Sequence, residues 1–303
     1  MNQMNIEQID LNLLKVFEAL FEESSASRAA LRLGVTQSAV SAALRRLRDV
    51  YGDPLFVRTG RGLAPTLRAN QLRALIGEAL AKCRQSLTLL DPKASDLQGR
   101  SVTLGLSDDF EIAYGQRLIA AVAQRAAGLR LIFRQTHSQI VASDLLERRI
   151  DLAITAGGFN ARLLGRQILG EGGYSCLVDG TSLKNHGLSL DEFVRREHIL
   201  VSSGGFIGIV DEALAADNLQ RRVRVSTTHF AALAWLLRGT QAVATIPAHA
   251  AQSIADMTGL LALPCPLALP RYPIELGWRS VTQPDLAVQR VRQAITDCFA
   301  PPD

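Results

Sequence analysis

The chain has 303 residues, enough for two domains, and its 48% hydrophobic and 20% charged residues exclude a globally disordered protein. The formal net charge is +4, and residues 24–68 hold 8 basic and 2 acidic side chains, whereas residues 91–303 hold 21 of each sign. A basic N-terminal segment joined to a neutral remainder predicts a polyanion-binding module attached to another domain.

Three helices are predicted at the start of the chain. Asp10 is a suitable N-cap for the apolar-periodic run over residues 11–22. Residues 26–33 form a short second helix that ends at a glycine, and Thr36 caps a third helix over residues 37–50. Two helices joined by a short glycine-containing turn are the layout of a helix-turn-helix.

The third helix has an apolar face and a polar face. Val40, Leu44 and Leu47 recur at helical spacing, so we expect them to face a core. The neighbouring arc carries side chains of the types that bind base edges or phosphates, which predicts insertion into the major groove of double-stranded DNA. The candidate contact residues of this helix are Thr36, Gln37, Ser38, Ser41, Arg45 and Arg46.

A two-stranded hairpin is predicted next. Residues 55–57 form a short β run, a TGRG turn follows, and residues 63–64 return. Arg58, Thr59 and Arg61 lie near the tip, where they suit phosphate contact or minor-groove insertion. For either arginine alone, the alternative is a solvated hairpin that only packs on the third helix.

A long helix is predicted over residues 67–90. Leu72, Ile76, Ala79 and Cys83 follow its 3–4 spacing, and no partner helix lies nearby in sequence. An amphipathic helix of this kind is a dimerisation candidate, and packing against its own domain is the alternative. Residues 91–95 predict a hinge.

The remaining two hundred residues alternate strands and helices. Predicted strands at 101–106, 129–134 and 150–155 are separated by helices, which indicates a parallel α/β sheet. The pattern then restarts: the later predicted strands are 175–178, 199–202, 223–225, 241–246 and 274–278, and the later predicted helices are 190–195, 211–218, 230–237 and 284–299. This repetition predicts two α/β halves.

Several motifs together resemble the LysR-type transcriptional regulators, in particular the branch of nodulation regulators and aromatic sensors. They are residues 11–17 (LNLLKVF), 27–30 (SRAA), 35–41 (VTQSAVS), 44–47 (LRRL), 51–58 (YGDPLFVR) and Pro65-Thr66 before the long helix. The order and spacing of the remaining chain agree, so the resemblance covers essentially all residues.

The resemblance implies a domain plan. It places a winged helix-turn-helix DNA-binding domain at residues 1–66, a linker helix and hinge at 67–95, and an α/β effector-binding domain at 96–303. The effector domain would be periplasmic-binding-protein-like, with two Rossmann-like subdomains, the first at about 96–168 and 269–303 and the second at about 169–268. The resemblance also implies a homo-oligomer, a dimer through the linker helix that assembles into tetramers, and contact with RNA polymerase.

Candidate effector residues follow from the strand ends. Ligands of parallel α/β sheets bind beyond the carboxyl ends of strands, and hydroxyls with helix N-terminal amides suit a small carboxylate or aromatic ligand. The alternative for each residue is a cap on its own helix. Phe206 and Ile207 stand where aromatic sensors of this branch have a polar loop, which makes salicylate doubtful and indicates a more apolar wall. The candidates are Ser107, Asp108, Thr136, His137, Thr155, Ser202, Ser203, Phe206, Ile207, Thr228 and His229.

Other classes are disfavoured. The segment 105–109 lacks the second glycine of a nucleophile elbow, and 204–208 (GGFIG) matches neither a P-loop nor G-x-G-x-x-G. The 4 cysteines and 5 histidines show no metal-ligand spacing. No signal peptide or membrane-length apolar stretch is present. We therefore expect a cytoplasmic regulator without enzymatic activity, metal, cofactor or membrane contact. The alternative is a small-ligand-binding protein that does not bind DNA, or an enzyme, with a periplasmic-binding-like core.

Overall fold

The structure, a computed structural model, describes residues 9–60, 62–88, 97–183, 187–202, 204–280 and 285–300. The chain forms two compact units, Met1–Asp96 and Leu97–Asp303.

The N-terminal unit contains helices followed by a hairpin and a long helix. Its elements are α1 (Asn12–Glu23), α2 (Ala26–Leu33), α3 (Gln37–Tyr51), β1 (Phe56–Thr59), β2 (Gly62–Pro65) and α4 (Leu67–Thr88). The predicted helix-turn-helix, hairpin and long helix are confirmed. The first helix begins one residue later than predicted, and the Asp10 carboxylate before it accepts a hydrogen bond from the Asn12 N–H at 3.0 Å. Residues 89–90 of the predicted long helix lie outside the described ranges.

Each helix of this unit contributes side chains to its hydrophobic core. Phe17 of α1 packs on Phe56 of β1 with ring centroids 5.4 Å apart, and Ile76 of α4 is buried in the same cluster. The hairpin β1–β2, called the wing below, lies close against the end of α1, because the Leu63 N–H donates to the Ser24 carbonyl at 2.8 Å. A Cβ at the neighbouring Gly62 would lie 2.5 Å from that carbonyl oxygen, so only glycine allows this approach.

The C-terminal unit contains two five-stranded mixed sheets. The first has the strand order β4 (Arg130–Gln135), β3 (Ser101–Leu106), β5 (Leu152–Thr155), β12 (Tyr272–Arg279) and β6 (Leu164–Gly172). Its helices are α5 (Asp108–Arg125), α6 (Val141–Leu146) and α11 (Leu286–Phe299). The second has the order β11 (Leu261–Pro264), β7 (Tyr174–Val178), β10 (Val243–Pro247), β8 (Glu197–Val201) and β9 (Arg222–Thr227). Its helices are α7 (Leu190–Arg195), α8 (Ile209–Ala216), α9 (Leu233–Leu237) and α10 (Ala248–Thr258).

These sheets define subdomain I and subdomain II, and two segments cross between them. The first crossing is at Gly173, later than the predicted boundary near residue 169, because β6 pairs along its length with β12 in the first sheet. The second crossing is the segment 265–271, between β11 and β12. Three elements were not predicted: β6, β11 and α10. The first two are edge strands with glycine or proline, which weakens the alternating pattern.

Candidate functional site

The polar face of α3 is exposed. Thr36 caps the helix by accepting a hydrogen bond from the Ala39 N–H at 3.2 Å, and its hydroxyl lies 2.9 Å from that of Ser38. The Gln37 amide donates to the Ser41 hydroxyl at 3.1 Å, so these two polar groups are held together on one exposed turn. The opposite face is buried at Val40, Leu44 and Leu47, as the spacing predicted.

Part of the basic charge stabilises the fold. Arg28 and Arg32 bind the last residues of α1, through a backbone carbonyl and an ion pair respectively. Arg48 donates to the carbonyls of Pro54 and Phe56 at 2.8 and 2.9 Å, which fixes the start of the wing against α3. These arginines therefore use part of the charge excess in contacts within the N-terminal unit.

The remaining predicted contact residues are exposed. Arg45 continues the line of Gln37 and Ser41 along α3, and Arg58 projects from β1. Arg46 forms an ion pair with Asp10 at 3.5 Å, and both side chains stay largely accessible. The Thr59 hydroxyl donates to the Gly62 carbonyl across the wing at 3.3 Å. Arg61 lies outside the described residues.

Asp53 connects the wing to α4, and this connection was not predicted. Its carboxylate accepts from the Leu55 N–H and from the Thr66 hydroxyl, both at 2.7 Å. Thr66 in turn accepts from the Ala69 N–H at 3.1 Å, which caps α4. The Pro65-Thr66 pair was the sequence signal for the helix start, but nothing local indicates its tie to Asp53.

Helix α4 has two different faces. Ile76 and Leu80 are buried in the core of the N-terminal unit, and the Arg84 guanidinium pairs with Glu18 of α1. Part of the predicted dimerisation stripe, Leu72 and Ile76, therefore packs within its own unit. The other face is exposed and carries Leu67, Leu75, Ala79, Lys82 and Cys83.

In subdomain I, two of the predicted effector residues face inward. The Thr136 side chain is fully buried and donates to Asp144 at 2.7 Å. Thr155 is also buried, and its hydroxyl donates to the Gly157 carbonyl at 2.5 Å. These two hydroxyls stabilise the ends of their own strands and do not line an open surface. His137 is exposed.

Asp108 joins the two subdomains. It lies in the first turn of α5, after Ser107, and its Oδ2 accepts from the backbone N–H groups of Phe230 and Ala231 at 2.8 and 3.4 Å. His229 Nδ1 lies 3.9 Å from the same oxygen. Asp108 Oδ1 is buried without a hydrogen-bond partner among the described residues. Two of the predicted effector residues, Asp108 and His229, therefore lie close together although they come from different subdomains.

The corresponding edge of subdomain II is more open. The Ser202 N–H donates to the Thr227 carbonyl at 2.8 Å, which places Ser202 beside the end of β9. Thr228 follows it and is exposed, and Phe206 and Ile207 are exposed on the loop before α8. Ser203 lies outside the described residues.

A second contact between the subdomains was missed from the sequence. Asp109 Oδ2 lies 3.0 Å from Nε2 of His249 in α10, and both side chains are more than nine-tenths buried. The imidazole stacks on Phe110 with centroids 4.7 Å apart. No local sequence signal connects Asp109 to a histidine so distant in the chain.

His198 occupies a buried polar site in subdomain II. Its Nε2 donates to the Phe193 carbonyl at 2.8 Å, and Nδ1 lies 3.3 Å from the guanidinium of Arg221. Burial lowers the pKa of His198 from 6.5 to about 4, so the ring is neutral at pH 7. Arg221 is itself buried and forms two hydrogen bonds with the Asp211 carboxylate, at 2.9 and 2.7 Å.

Two features of other protein classes are absent from the described part of the chain. Among these residues, no three or more His, Cys, Asp or Glu side chains are grouped to hold a metal ion. Over the same residues, no helix combines the length and the apolarity needed to span a bilayer.

A winged helix-turn-helix with an exposed polar helix, followed by a two-subdomain α/β unit, defines a DNA-binding regulator with a ligand-binding domain. Residues 11–70 match the bacterial regulatory helix-turn-helix protein model of the lysR family, and residues 95–300 match the LysR substrate-binding domain model. The chain belongs to the LysR family of bacterial transcriptional regulators, and it is not an enzyme.

Individual relatives agree over almost the whole chain. It is 33% identical to the HTH-type transcriptional activator NahR of Pseudomonas putida, over 98% of this chain and 99% of that protein. It is 30% identical to nodulation protein D 1 of Bradyrhizobium japonicum, over 96% and 91%. A solved structure of a probable transcriptional regulator from Pseudomonas aeruginosa covers 95% of this chain and 97% of its own, with TM-score 0.72 and 28% identity. The branch indicated by the opening motifs is thereby confirmed.

Proposed function

We propose that α3 reads DNA in the major groove and that the wing contacts the backbone. The observation that carries this proposal is an exposed line of polar side chains on α3, formed by Gln37, Ser41 and Arg45. The opposite face of the helix is apolar and buried. Glutamine suits adenine, and arginine suits guanine or phosphate. Thr36, Ser38 and Arg46 border this line, and Arg58, Thr59 and Arg61 of the wing are assigned to phosphates or the minor groove.

The effector site is assigned to the cleft between the subdomains. Ser107, Asp108, Ser202, Thr228 and His229 supply hydrogen-bonding groups there, and Phe206 and Ile207 supply an apolar wall. This mixture suits a small aromatic or carboxylate ligand. His137 and Ser203 remain candidates at its margin, and the buried Thr136 and Thr155 act by positioning the strand ends.

The exposed face of α4 is assigned to a homodimer. Leu67, Leu75 and Ala79 are accessible on it, and burial against a second copy would remove apolar surface from water. A two-fold dimer presents two copies of α3 to two half-sites. Assembly into tetramers, contact with RNA polymerase and a cytoplasmic location follow from family membership and remain part of the proposal.

DNA binding is tested by selecting the full-length protein on a random duplex pool and then titrating salt. We expect enriched half-sites one or more helical turns apart, with an affinity that falls linearly in a log–log plot against salt. Absence of salt-sensitive duplex binding would contradict the assignment.

Effector binding is tested by a thermal-shift screen of small carboxylates and aromatics against the same protein. A ligand of the cleft should raise the midpoint of the C-terminal unit, because it stabilises the folded state only. The double variant Ser202→Ala, Thr228→Ala should lose that shift, while Ser182→Ala, a serine of the same subdomain away from these strand ends, should retain it. A shift that survives in the double variant would place the ligand elsewhere.

A further inference from the structure

Two cysteines far apart in the sequence meet in subdomain II. Cys176 is in the middle of β7, and the antiparallel strand β11 pairs with it so that Leu263 lies opposite Cys176. Cys265 follows directly after β11, at the start of the second crossing segment. Cys265 packs against the buried side-chain cluster that contains Cys176. Because Cys265 comes two residues after Leu263, it lies on the same face of the β7–β11 pair as Cys176. This pair was not predicted, because the spacing of the two cysteines matches no thiol motif.

The two thiols differ in access. Cys176 is fully buried among core side chains, and its sulfur lies 3.7 Å from the Thr245 hydroxyl. Cys265 is partly exposed, beside an edge strand of the sheet. A small reagent from solution therefore reaches Cys265 first, and Cys176 is placed to react only with whatever forms on its neighbour.

The surroundings favour the Cys265 thiolate. Hydrogen bonding from Cys176 and from the Leu267 N–H, together with the positive charge of Arg221, lowers the pKa of Cys265 to about 7. Arg221 is almost fully buried, so its charge is poorly screened by water. The same contact raises the pKa of Cys176, which therefore keeps its proton. Thiolates, not thiols, are the nucleophiles in oxidation and exchange.

We propose that Cys265 and Cys176 form a redox-active dithiol, with Cys265 as the peroxide-reactive thiol and Cys176 as the resolving thiol. The Cys265 sulfur attacks one oxygen of a hydroperoxide; the S–O bond forms, the O–O bond breaks, and water or an alcohol leaves after protonation. The Cys176 sulfur then attacks the Cys265 sulfenic acid, loses its proton and releases water. Overall, two thiols and one hydroperoxide are converted to one disulfide and two hydroxyl products. With hydrogen peroxide, both of these products are water.

The disulfide would have a structural consequence. Cys265 begins one of the two segments that link the subdomains, and Cys176 is fixed in the centre of a sheet. A covalent bond between them would anchor the start of that crossing to subdomain II. Oxidation would thus act at the connection between the subdomains without touching the strand-end residues assigned to the effector.

The test uses the full-length reduced protein, hydrogen peroxide, an alkylating quench and peptide mass spectrometry. We expect an intramolecular Cys176–Cys265 disulfide before any modification of Cys83, which lies on the α4 face assigned to the dimer. Initial alkylation of Cys265 by iodoacetamide should increase with pH through a midpoint near 7. Preferential oxidation of Cys83, or sulfinic acid at Cys265 without a disulfide, would overturn the proposal.

Two variants separate the roles of the thiols. Cys176→Ser should leave a Cys265 sulfenic acid that dimedone traps, and Cys265→Ser should abolish oxidation of Cys176 at the same peroxide concentration. Cys83→Ser should change neither result. If Cys265→Ser unfolds the subdomain, the wild-type disulfide mapping and the alkylation midpoint still decide the question. Oxidation of Cys176 in a folded Cys265→Ser protein would contradict the proposed order.

Discussion

The two units place their charged groups differently. In the N-terminal unit, Arg45 and Arg58 are exposed above an apolar core, and the candidate contact residues lie within one short stretch of chain. In the C-terminal unit, the pairs Asp109–His249 and Asp211–Arg221 are largely buried, and the first joins elements distant in sequence. Charged side chains can bind a polyanion while they stay hydrated. A cleft that binds a small molecule needs polar groups that are held in fixed positions around the ligand.

Because of this difference, we expect substitutions of charged or polar residues in the two units to have opposite effects on stability and on DNA binding. Exposed ion pairs contribute little to folding because water and salt screen them, and removal of one partner from a buried pair leaves an uncompensated charge. Substitutions in the C-terminal unit should therefore change unfolding, and substitutions on α3 and the wing should change DNA affinity.

The largest effect is expected for Asp211→Ala. It leaves the buried Arg221 guanidinium without its carboxylate, which should lower the free energy of unfolding of the C-terminal unit by about 3–5 kcal/mol, measured by urea denaturation. The control is Glu171→Ala, which breaks the exposed pair with Arg271 and should cost less than about 1 kcal/mol. Equal losses of unfolding free energy in the two variants would show that buried and exposed ion pairs contribute equally to stability.

A smaller effect is expected from acid. The unfolded chain protonates His198 near pH 6.5, whereas the folded unit resists protonation until about pH 4. The unfolded state therefore binds more protons between these values, and stability should fall by about 2 kcal/mol from pH 7 to pH 5. His198→Gln should lose this component of the pH dependence in urea titrations, and the exposed His137→Gln should retain it. If the free energy of unfolding of His198→Gln changes with pH as in the wild type, another group is responsible for the pH dependence.

Gln37→Ala should weaken binding to the selected duplex by roughly tenfold, because one base-edge contact is lost. Binding to a scrambled duplex should stay within about twofold, since this side chain carries no charge. Gln124→Ala, which changes an exposed glutamine on α5 of the C-terminal unit, is the matched control and should leave both affinities unchanged in fluorescence anisotropy. Parallel losses on both duplexes would make Gln37 a general surface contact.

The smallest effect is expected for Arg58→Ala. Loss of one phosphate contact should weaken specific and nonspecific binding alike and reduce the log–log salt slope by about 1. Arg222→Ala removes an exposed arginine from the C-terminal unit and should leave the slope unchanged. A selective loss on the preferred duplex would instead assign Arg58 to base recognition.

The sequence predicts the N-terminal unit well because its signals are local. Spacing alone separates buried Val40, Leu44 and Leu47 from the exposed arc of α3, and a single cap residue marks where that helix begins. In the C-terminal unit, the strand-end rule predicts which edge of each sheet holds the effector. It does not tell whether a hydroxyl there faces in or out, and Thr136 faces in, toward Asp144.

Other features depend on pairing across the chain. The Asp109–His249 contact joins residues more than a hundred positions apart, and the Cys176–Cys265 contact requires the pairing of β11 with β7. Strand β11 is short and lies within a proline-rich segment, so its pattern does not distinguish it from a loop. Both contacts become visible only when the tertiary arrangement is known.

The anchoring of the wing determines which partner must adapt during binding. Arg48 holds the start of β1, Asp53 ties it to Thr66, and the Leu63 N–H is bonded to Ser24, so the wing and α3 form one preassembled surface. Little protein entropy remains to be lost when such a surface meets a duplex. Where the groove width of the duplex does not match this surface, the DNA must deform. Sequences that deform easily at the mismatched positions therefore bind more tightly, although no side chain contacts their bases.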